Sequence, residues 1–391
     1  MGRSRLELSD IIRKYGNEFR ETHSLTKKQK SVLSAIEKCR TEALGYHVEQ
    51  CSHCKHIEVS YNSCRDRHCP KCQGHAQRQW VKQRINQLLP VPYYHLVFTL
   101  PSSLFPFSLY NKRLIYTLLF DAAASTLKQF GADPKWLGGQ IGFFGILHTW
   151  GQTLWHHPHI HFIVAGGAIG PDERWIPVKH KGKFLFPVRA ISKVFRGKFM
   201  KQLEDAIRRN DYTPIPLEDS ATWSPESFLK NLVKKSWVVY CKSPFENAEH
   251  VIRYIGRYTH RVAISNSRLC SIADGRVEFR YKDRRSSNNQ VKRMKLSADD
   301  FLQRFLWHVL PEKFHRIRHY GFLCNGKAKT NCSRILKMLG AKVLNNVKQK
   351  KNRAKCRVCN TGYLFMICLV TARCFVIQIN SPGNMIAAQN G

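Results

Sequence analysis

The stretch His156-His157-Pro158-His159-Ile160-His161-Phe162-Ile163-Val164 reads as a strand that carries its own metal ligands. Side chains on a strand point to opposite faces in turn, so His159 and His161 share one face and Ile160 turns to the other. Two imidazoles fixed on one strand supply most of an open metal site. Further along, Tyr254 and Tyr258 stand at the i, i+4 spacing that aligns two side chains on one helix face. Their hydroxyls would be paired nucleophiles. A metal that polarises a phosphate, beside tyrosine hydroxyls, is equipment for cutting and rejoining a DNA strand.

A third ligand is expected from the strand upstream. The apolar run Ile141 to Leu147 ends in His148, and a short loop back to His159 would set the two strands side by side. Three neutral imidazoles on a sheet leave positions open for phosphate oxygens and water. Gln152, His156 and His157 are reserve candidates. Mg²⁺ or Mn²⁺ is the expected working ion, although imidazoles hold Zn²⁺ or Ni²⁺ more tightly. A bare Tyr-x-x-x-Tyr is ordinarily core packing. Here Arg253, Arg257 and Arg261 form a second i, i+4 ridge beside it, which suits a DNA backbone better than a core. Tyrosine ionises near pH 10, about three units too high for a nucleophile at neutral pH, and nearby cations would favour the phenolate.

Cys51-x2-Cys54 and Cys69-x2-Cys72 are two knuckles whose four thiolates are expected to close one structural zinc site. Cys39, Cys64, His47, His53 and His68 lie close enough in sequence to exchange with them. Arg65, Arg67 and Lys71 intersperse the ligands and are expected to grip DNA phosphates. A second zinc site would pair Cys356-x2-Cys359 with Cys368 and Cys374.

Composition supports a nucleic-acid partner. Lys+Arg is 64 against Asp+Glu 27, a formal charge of +37, far beyond what solubility needs. The basic residues are spread along the chain, which argues against a membrane-surface helix. Met1 to Arg20 lacks the apolar core of a signal peptide, and the apolar Tyr363 to Ile379 carries Arg373 and reads as a buried strand. A cytoplasmic, nucleoid-associated protein is expected. The 14 cysteines then favour metal over disulfides.

Periodicity and composition divide the chain into a helical segment over 1–45, a cysteine-rich segment over 46–88 expected to bind zinc, a mixed strand-and-helix domain over 89–330 that holds the candidate catalytic residues, and a basic tail over 331–391. Strands are expected at Tyr93–Leu100, Gln140–Leu147, His159–Ala165, Ser236–Cys241, Arg261–Ile264, Leu269–Ile272 and Val277–Tyr281, with edge strands within 176–187. Helices are expected at Gln77–Leu89, Leu114–Phe130, Val194–Arg208, Phe301–Val309 and, behind the capping box Ser243-Pro244-Phe245-Glu246, from Pro244 to Tyr258. The fold class is α+β.

Three motifs together resemble rolling-circle insertion-sequence transposases of the paired-tyrosine type, within the HUH endonuclease superfamily. They are Tyr61-Asn62-Ser63-Cys64-Arg65 with Arg67-His68-Cys69-Pro70-Lys71-Cys72, His148-Thr149-Trp150-Gly151-Gln152 with His157-Pro158-His159-Ile160-His161, and Gly256 to Ser265. Arg316-Ile317-Arg318-His319-Tyr320-Gly321 is similar to the family's later portion. The resemblance implies a small zinc-binding domain followed by an antiparallel-sheet catalytic domain with flanking helices. It implies that His159 and His161 are the metal pair, and that Tyr254 and Tyr258 form 5′-phosphotyrosine links on single-stranded element ends while freeing a 3′-hydroxyl. The rival readings are a replication initiator or relaxase with the same chemistry, and a non-enzymatic zinc-dependent DNA-binding protein.

Overall fold

The computed structural model describes residues 6–85, 88–179, 185–215, 224–242, 256, 263–283, 290–341, 354–372 and 376–378. Helices α1 (Leu8–Thr22) and α2 (Lys27–Glu37) open the chain. A capping box fixes the start of α2: Thr26 accepts from the Gln29 amide while the Gln29 side chain returns to the Thr26 amide. Strands β1 (Gly45–Cys51) and β2 (Ile57–Tyr61) form an antiparallel hairpin, followed by α3 (Pro70–Ile85). Next come β3 (Tyr93–Thr99), α4 (Phe105–Tyr110), α5 (Lys112–Ala132), β4 (Gln140–Trp150), β5 (His156–Ile169), β6 (Trp175–Pro177), α6 (Val188–Arg208), α7 (Pro225–Lys234) and β7 (Val239–Lys242). The remainder is β8 (Leu269–Ala273), β9 (Arg276–Lys282), β10 (Val291–Ser297), α8 (Ala298–Trp307), β11 (Ile317–Gly321), α9 (Ala328–Met338), β12 (Leu364–Thr371) and β13 (Val376–Gln378).

The main sheet has the order β11-β4-β5-β3-β7, with β6 paired to the far end of β5. Its pairings are all antiparallel. Side-chain alternation gives it two apolar faces. Tyr94, Leu96, Phe98, Phe143, Leu147, Ile160 and Phe162 pack beneath α5 and α6. Tyr93, Phe144, Ile146, Ile163 and Ala165 face the other way, under Trp80 and Val81 of α3 and Ile335 of α9. This two-sided burial explains why β4 and β5 read as near-continuous apolar runs.

A separate core joins the N-terminal helices to β9 and α8. Leu8, Ile11, Ile12, Val32 and Leu33 pack with Val277 and Phe279 of β9 and with Phe301, Leu302 and Phe305 of α8. The tail returns to the beginning. β12 pairs antiparallel with β1, giving the sheet order β13-β12-β1-β2.

The strands β4 and β5 run longer than their apolar stretches, because pairing continues through the histidines to Trp150 opposite His156. The expected strand at 261–264 is corrected over its described part, since Ala263 adopts φ +54, which breaks an extended run. The expected helix 244–258 lies outside the described residues except for Gly256, which is helical. Among the described residues no helix is long and apolar enough to cross a membrane.

Gly321 closes β11 at φ +58, where a Cβ would overlap the Ile141 carbonyl. The left-handed conformation alone costs an L-residue about 1–2 kcal/mol, and the overlap would also push β11 off β4. Gly321→Ala is therefore expected to lose at least about 2 kcal/mol of stability in urea unfolding. An unchanged midpoint would refute this reading of the β11–β4 contact.

Candidate active site

The register of β4 on β5 sets His148 directly opposite His159 and Ile146 opposite His161. His148, His159 and His161 thus fall on one face, the one covered by α3. They offer one ligand atom each, all within 4.8 Å of one another. The ring centroids of His148 and His161 are 4.4 Å apart, those of His159 and His161 4.9 Å, and those of His148 and His159 5.3 Å.

Hydrogen bonds orient the rings. His159 Nδ1–H donates to the His157 carbonyl at 2.7 Å, which puts the lone pair of the neutral ring on Nε2. His161 Nδ1 lies 2.7 Å from His95 Nε2, with the two rings stacked. In the tautomer where His161 Nδ1–H donates, its Nε2 is likewise the ligand atom. His148 is buried and stacks on Trp150 at 4.7 Å. The Arg316 guanidinium sits 6.0 Å from the Trp150 ring, a cation beside the cluster. Sequence reasoning missed His95 and named Arg316 as part of a motif without placing it beside the cluster. A lone histidine in Tyr93–Leu100 carries no signal until β3 is known to pair with β5.

The reserve candidates lie elsewhere. His156 has the opposite parity and is buried, its Nε2 2.9 Å from Ser108 Oγ. The His157 ring packs edge-on against Phe105. Gln152 Oε1 accepts from the Lys282 amide at 3.3 Å. The loop between the two ligand strands is held from outside. His308 Nε2–H donates to the Leu154 carbonyl at 3.0 Å and Arg304 donates to the Thr153 carbonyl at 3.4 Å. Leu154 itself is buried at φ +62, a conformation unusual for a bulky residue.

Tyr254, Tyr258, Arg253, Arg257 and Arg261 lie outside the described residues. Gly256, midway between the tyrosines in sequence, is buried and abuts Val81. Val81 belongs to α3, which covers the face that carries the histidine cluster.

The cysteines assort differently from the expectation. Cys51 and Cys54 do not share a site with Cys69 and Cys72. The hairpin carries the first pair to its tip, whereas Cys64, Cys69 and Cys72 gather at its base with Cys39 from the end of α2. In that group Cys39 and Cys72 are 3.5 Å apart, Cys64 and Cys72 3.6 Å, and Cys69 and Cys39 3.6 Å between sulfurs. Zinc with bonds near 2.3 Å would space tetrahedral sulfurs by about 3.8 Å, so the group fits that ion. Hydrogen bonding from Cys64 pulls the Cys39 thiol below its ordinary range, toward the thiolate that a metal binds. Cys51 and Cys54 instead meet Cys356 and Cys359. Cys368 lies on β12 and is not part of that group, and Cys374 lies outside the described residues.

Of the expected phosphate contacts, Arg67 donates to the carbonyls of Phe314 and Pro311 at 2.8 and 3.2 Å, and Lys71 pairs with Glu7 at 2.6 Å. Both are used in folding. Arg65 lines two adjoining surface grooves together with Arg40.

Residues 142–332 match a family described as "Putative transposase", and residues 11–100 match a "Transposase zinc-binding domain". The "Putative transposase y4qJ" of Sinorhizobium fredii (strain NBRC 101917 / NGR234) is 48% identical over 88% of this chain and 86% of its own length. The transposase for insertion sequence element IS801 of Pseudomonas savastanoi pv. phaseolicola is 31% identical over 73% of this chain and 68% of its own. Among solved structures, the conjugative relaxase TrwC in complex with OriT DNA covers 42% of this chain and 71% of that chain at 14% identity; its TM-score of 0.24 is too low to argue from.

Two buried histidines behind the cluster set an acid limit. Burial pushes His156 down to about 2 and His308 down to about 3. In the unfolded chain both titrate near 6.5. Below that pH the unfolded state binds protons that the folded state refuses, so stability present above 6.5 is lost as pH falls toward about 3, by up to about 1.4 kcal/mol per pH unit for each group. The urea midpoint is expected to drop between pH 7 and pH 5. A midpoint that rises on acidification would contradict the neutral burial of these rings.

Proposed function

The chain belongs to the insertion-sequence transposase family that includes the IS801 enzyme, and on that premise we propose that it nicks and rejoins single DNA strands through 5′-phosphotyrosine links in rolling-circle transposition. The observation that carries this reading is the convergence of His148, His159 and His161 on one face of the main sheet. Gly256, midway between Tyr254 and Tyr258 in sequence, abuts Val81 of α3, the helix over that same face, which supports this reading.

His148, His159 and His161 would hold the divalent ion, with His95 and the His157 carbonyl fixing the rings through Nδ1. When bound there, Mg²⁺ or Mn²⁺ supplies Lewis-acid stabilisation of charge on a phosphate oxygen. The phenolate oxygen of Tyr258 or Tyr254 attacks phosphorus at an element end. Its proton has gone to solvent. The bond from phosphorus to the 3′-oxygen breaks, and that oxygen leaves with the electron pair and gains a proton. Arg253, Arg257 and Arg261, at helical spacing beside the tyrosines, lower the cost of the phenolate and hold the phosphate. The second tyrosine lets a second strand be held covalently during transfer. Because the ester to tyrosine keeps the bond energy, rejoining by a 3′-hydroxyl needs no nucleotide triphosphate.

Cys39, Cys64, Cys69 and Cys72 would hold a structural zinc in the matched zinc-binding domain. Arg65 and Arg40 would meet the backbone of the bound strand. The high positive charge fits a DNA partner in the cytoplasm. A relaxase or initiator would use the same site chemistry, and the transposase relatives favour transposition over both.

The test is a labelled single-stranded element end incubated with the full chain and Mn²⁺, followed by a denaturing gel. The wild type is expected to form a covalent adduct. Tyr254→Phe with Tyr258→Phe is expected to abolish it while DNA binding persists. An adduct from that double variant would overturn the nucleophile assignment, and no adduct from the wild type would favour a non-enzymatic DNA-binding protein. His95→Ala is expected to weaken Mn²⁺ binding by about 10- to 100-fold, read by calorimetry. Unchanged affinity would remove His95 from the site.

A further inference from the structure

We propose that Cys51, Cys54, Cys356 and Cys359 form a second zinc site, one that clasps the C-terminal strand to the N-terminal hairpin. The inference does not rest on the transposase reading. It concerns a site whose ligands come from both ends of the chain, two of them far beyond the matched zinc-binding domain at 11–100.

Three observations carry it. The first is spacing. Cys51 Sγ lies 3.7 Å from Cys359 Sγ, and Cys54 Sγ 3.7 Å from Cys356 Sγ, with all four ligand atoms within 4.8 Å. A zinc tetrahedron asks for about 3.8 Å between sulfurs, whereas a disulfide would bring them to about 2.05 Å.

The second is that each knuckle aims a backbone amide at one of its sulfurs. The His53 amide points at Cys51 Sγ at 3.4 Å, and the Gly362 amide points at Cys359 Sγ at 3.3 Å. Amide donors of this kind disperse thiolate charge around a metal. A Cβ at Gly362 would overlap both Cys51 Sγ and His53 Cβ, so the second knuckle can close on the first only without a side chain there. Backbone bonds lock the approach. The Ser52 amide donates to the Tyr363 carbonyl at 3.0 Å, and the Cys356 amide to the Gly362 carbonyl at 2.8 Å.

The third is the poverty of the local core. Among the described residues, the buried cluster at this end is Cys51, Cys356 and Leu364, with Cys359 against it. Ile57, Val59 and Tyr61 of β2 are exposed. So small an apolar cluster does not hold a sheet together, and metal binding would supply what it lacks. The clasp also matters beyond its own end. Met366 and Leu369 of β12 wall a groove of about 610 Å³ whose other side carries Arg40, Tyr61 and Arg65. Release of the clasp would remove that wall.

The test loads the full-length chain with Co²⁺ and counts thiolate-bound metal by its charge-transfer absorbance. The wild type is expected to hold two equivalents. Cys356→Ser with Cys359→Ser, and separately Cys51→Ser with Cys54→Ser, are each expected to hold one. Combining the two pairs should remove no more than either alone. Cys359→His, which keeps a ligand in place, is expected to retain two equivalents with a shifted spectrum, and it serves if the serine variants do not fold. One equivalent in the wild type would overturn the proposal. So would two equivalents in the Cys356→Ser, Cys359→Ser variant, or an unshifted spectrum for Cys359→His.

Discussion

One constraint governs the site: β4 must lie on β5 with His148 opposite His159. A slip of a single residue would turn His148 toward the face of Phe143 and Leu147, into the core under α5. Apolar residues on both faces hold the register, since a slip would also expose Phe144 and Ile146 to the wrong neighbours. The loop between the strands adds a second hold. It is gripped by His308 and Arg304, beside and within α8, and α8 is packed in turn on α1 and α2. The first helices of the chain, remote in sequence from every ligand, therefore stiffen the imidazole cluster through that loop.

The parts of the site that rest on local parity were legible in the sequence. Alternation alone puts His159 and His161 together and His156 opposite them, and a short return loop brings in His148. What rests on topology was not. His95 joins the cluster because β3 flanks β5, a pairing that no spacing announces. The cysteines show the same limit. Spacing identified Cys51, Cys54, Cys69 and Cys72 as ligand material but could not say which sulfurs meet, because the hairpin separates tip from base and the pairing of β12 with β1 brings in Cys356 and Cys359, just ahead of β12, from the far end of the chain. The apolar tail is legible as a strand for the plain reason that its residues are β-formers. Its partner, β1, is not.

Charge was also only partly readable. The surplus of basic residues says that a polyanion is near, but it does not say which side chains touch it. Arg67 spends its guanidinium on two carbonyls and Lys71 on Glu7. Burying part of a charged group beside a carbonyl or a carboxylate restores some of what desolvation removes, so these residues are best placed to hold the fold. Arg40 and Arg65, both at positive φ, line open grooves instead.

The two kinds of donor explain why one chain carries both. Four thiolates around Zn²⁺ bring a net charge of about −2 and fill its tetrahedron, which leaves nothing to attract or bind a phosphate. Three neutral imidazoles leave the full charge of a divalent ion unbalanced and leave coordination positions open. The group of Cys51, Cys54, Cys356 and Cys359 lies at the hairpin tip, where the apolar cluster is small, whereas the Cys39 group at the base packs into the core of α1, α2 and α8. The imidazole group lies on the central strand pair, which is buried on both faces, so a net positive charge can be held in place for an incoming phosphodiester. Exchanging the two donor sets would reverse both properties, closing the site meant for substrate and leaving the hairpin held by a weaker, charged clasp.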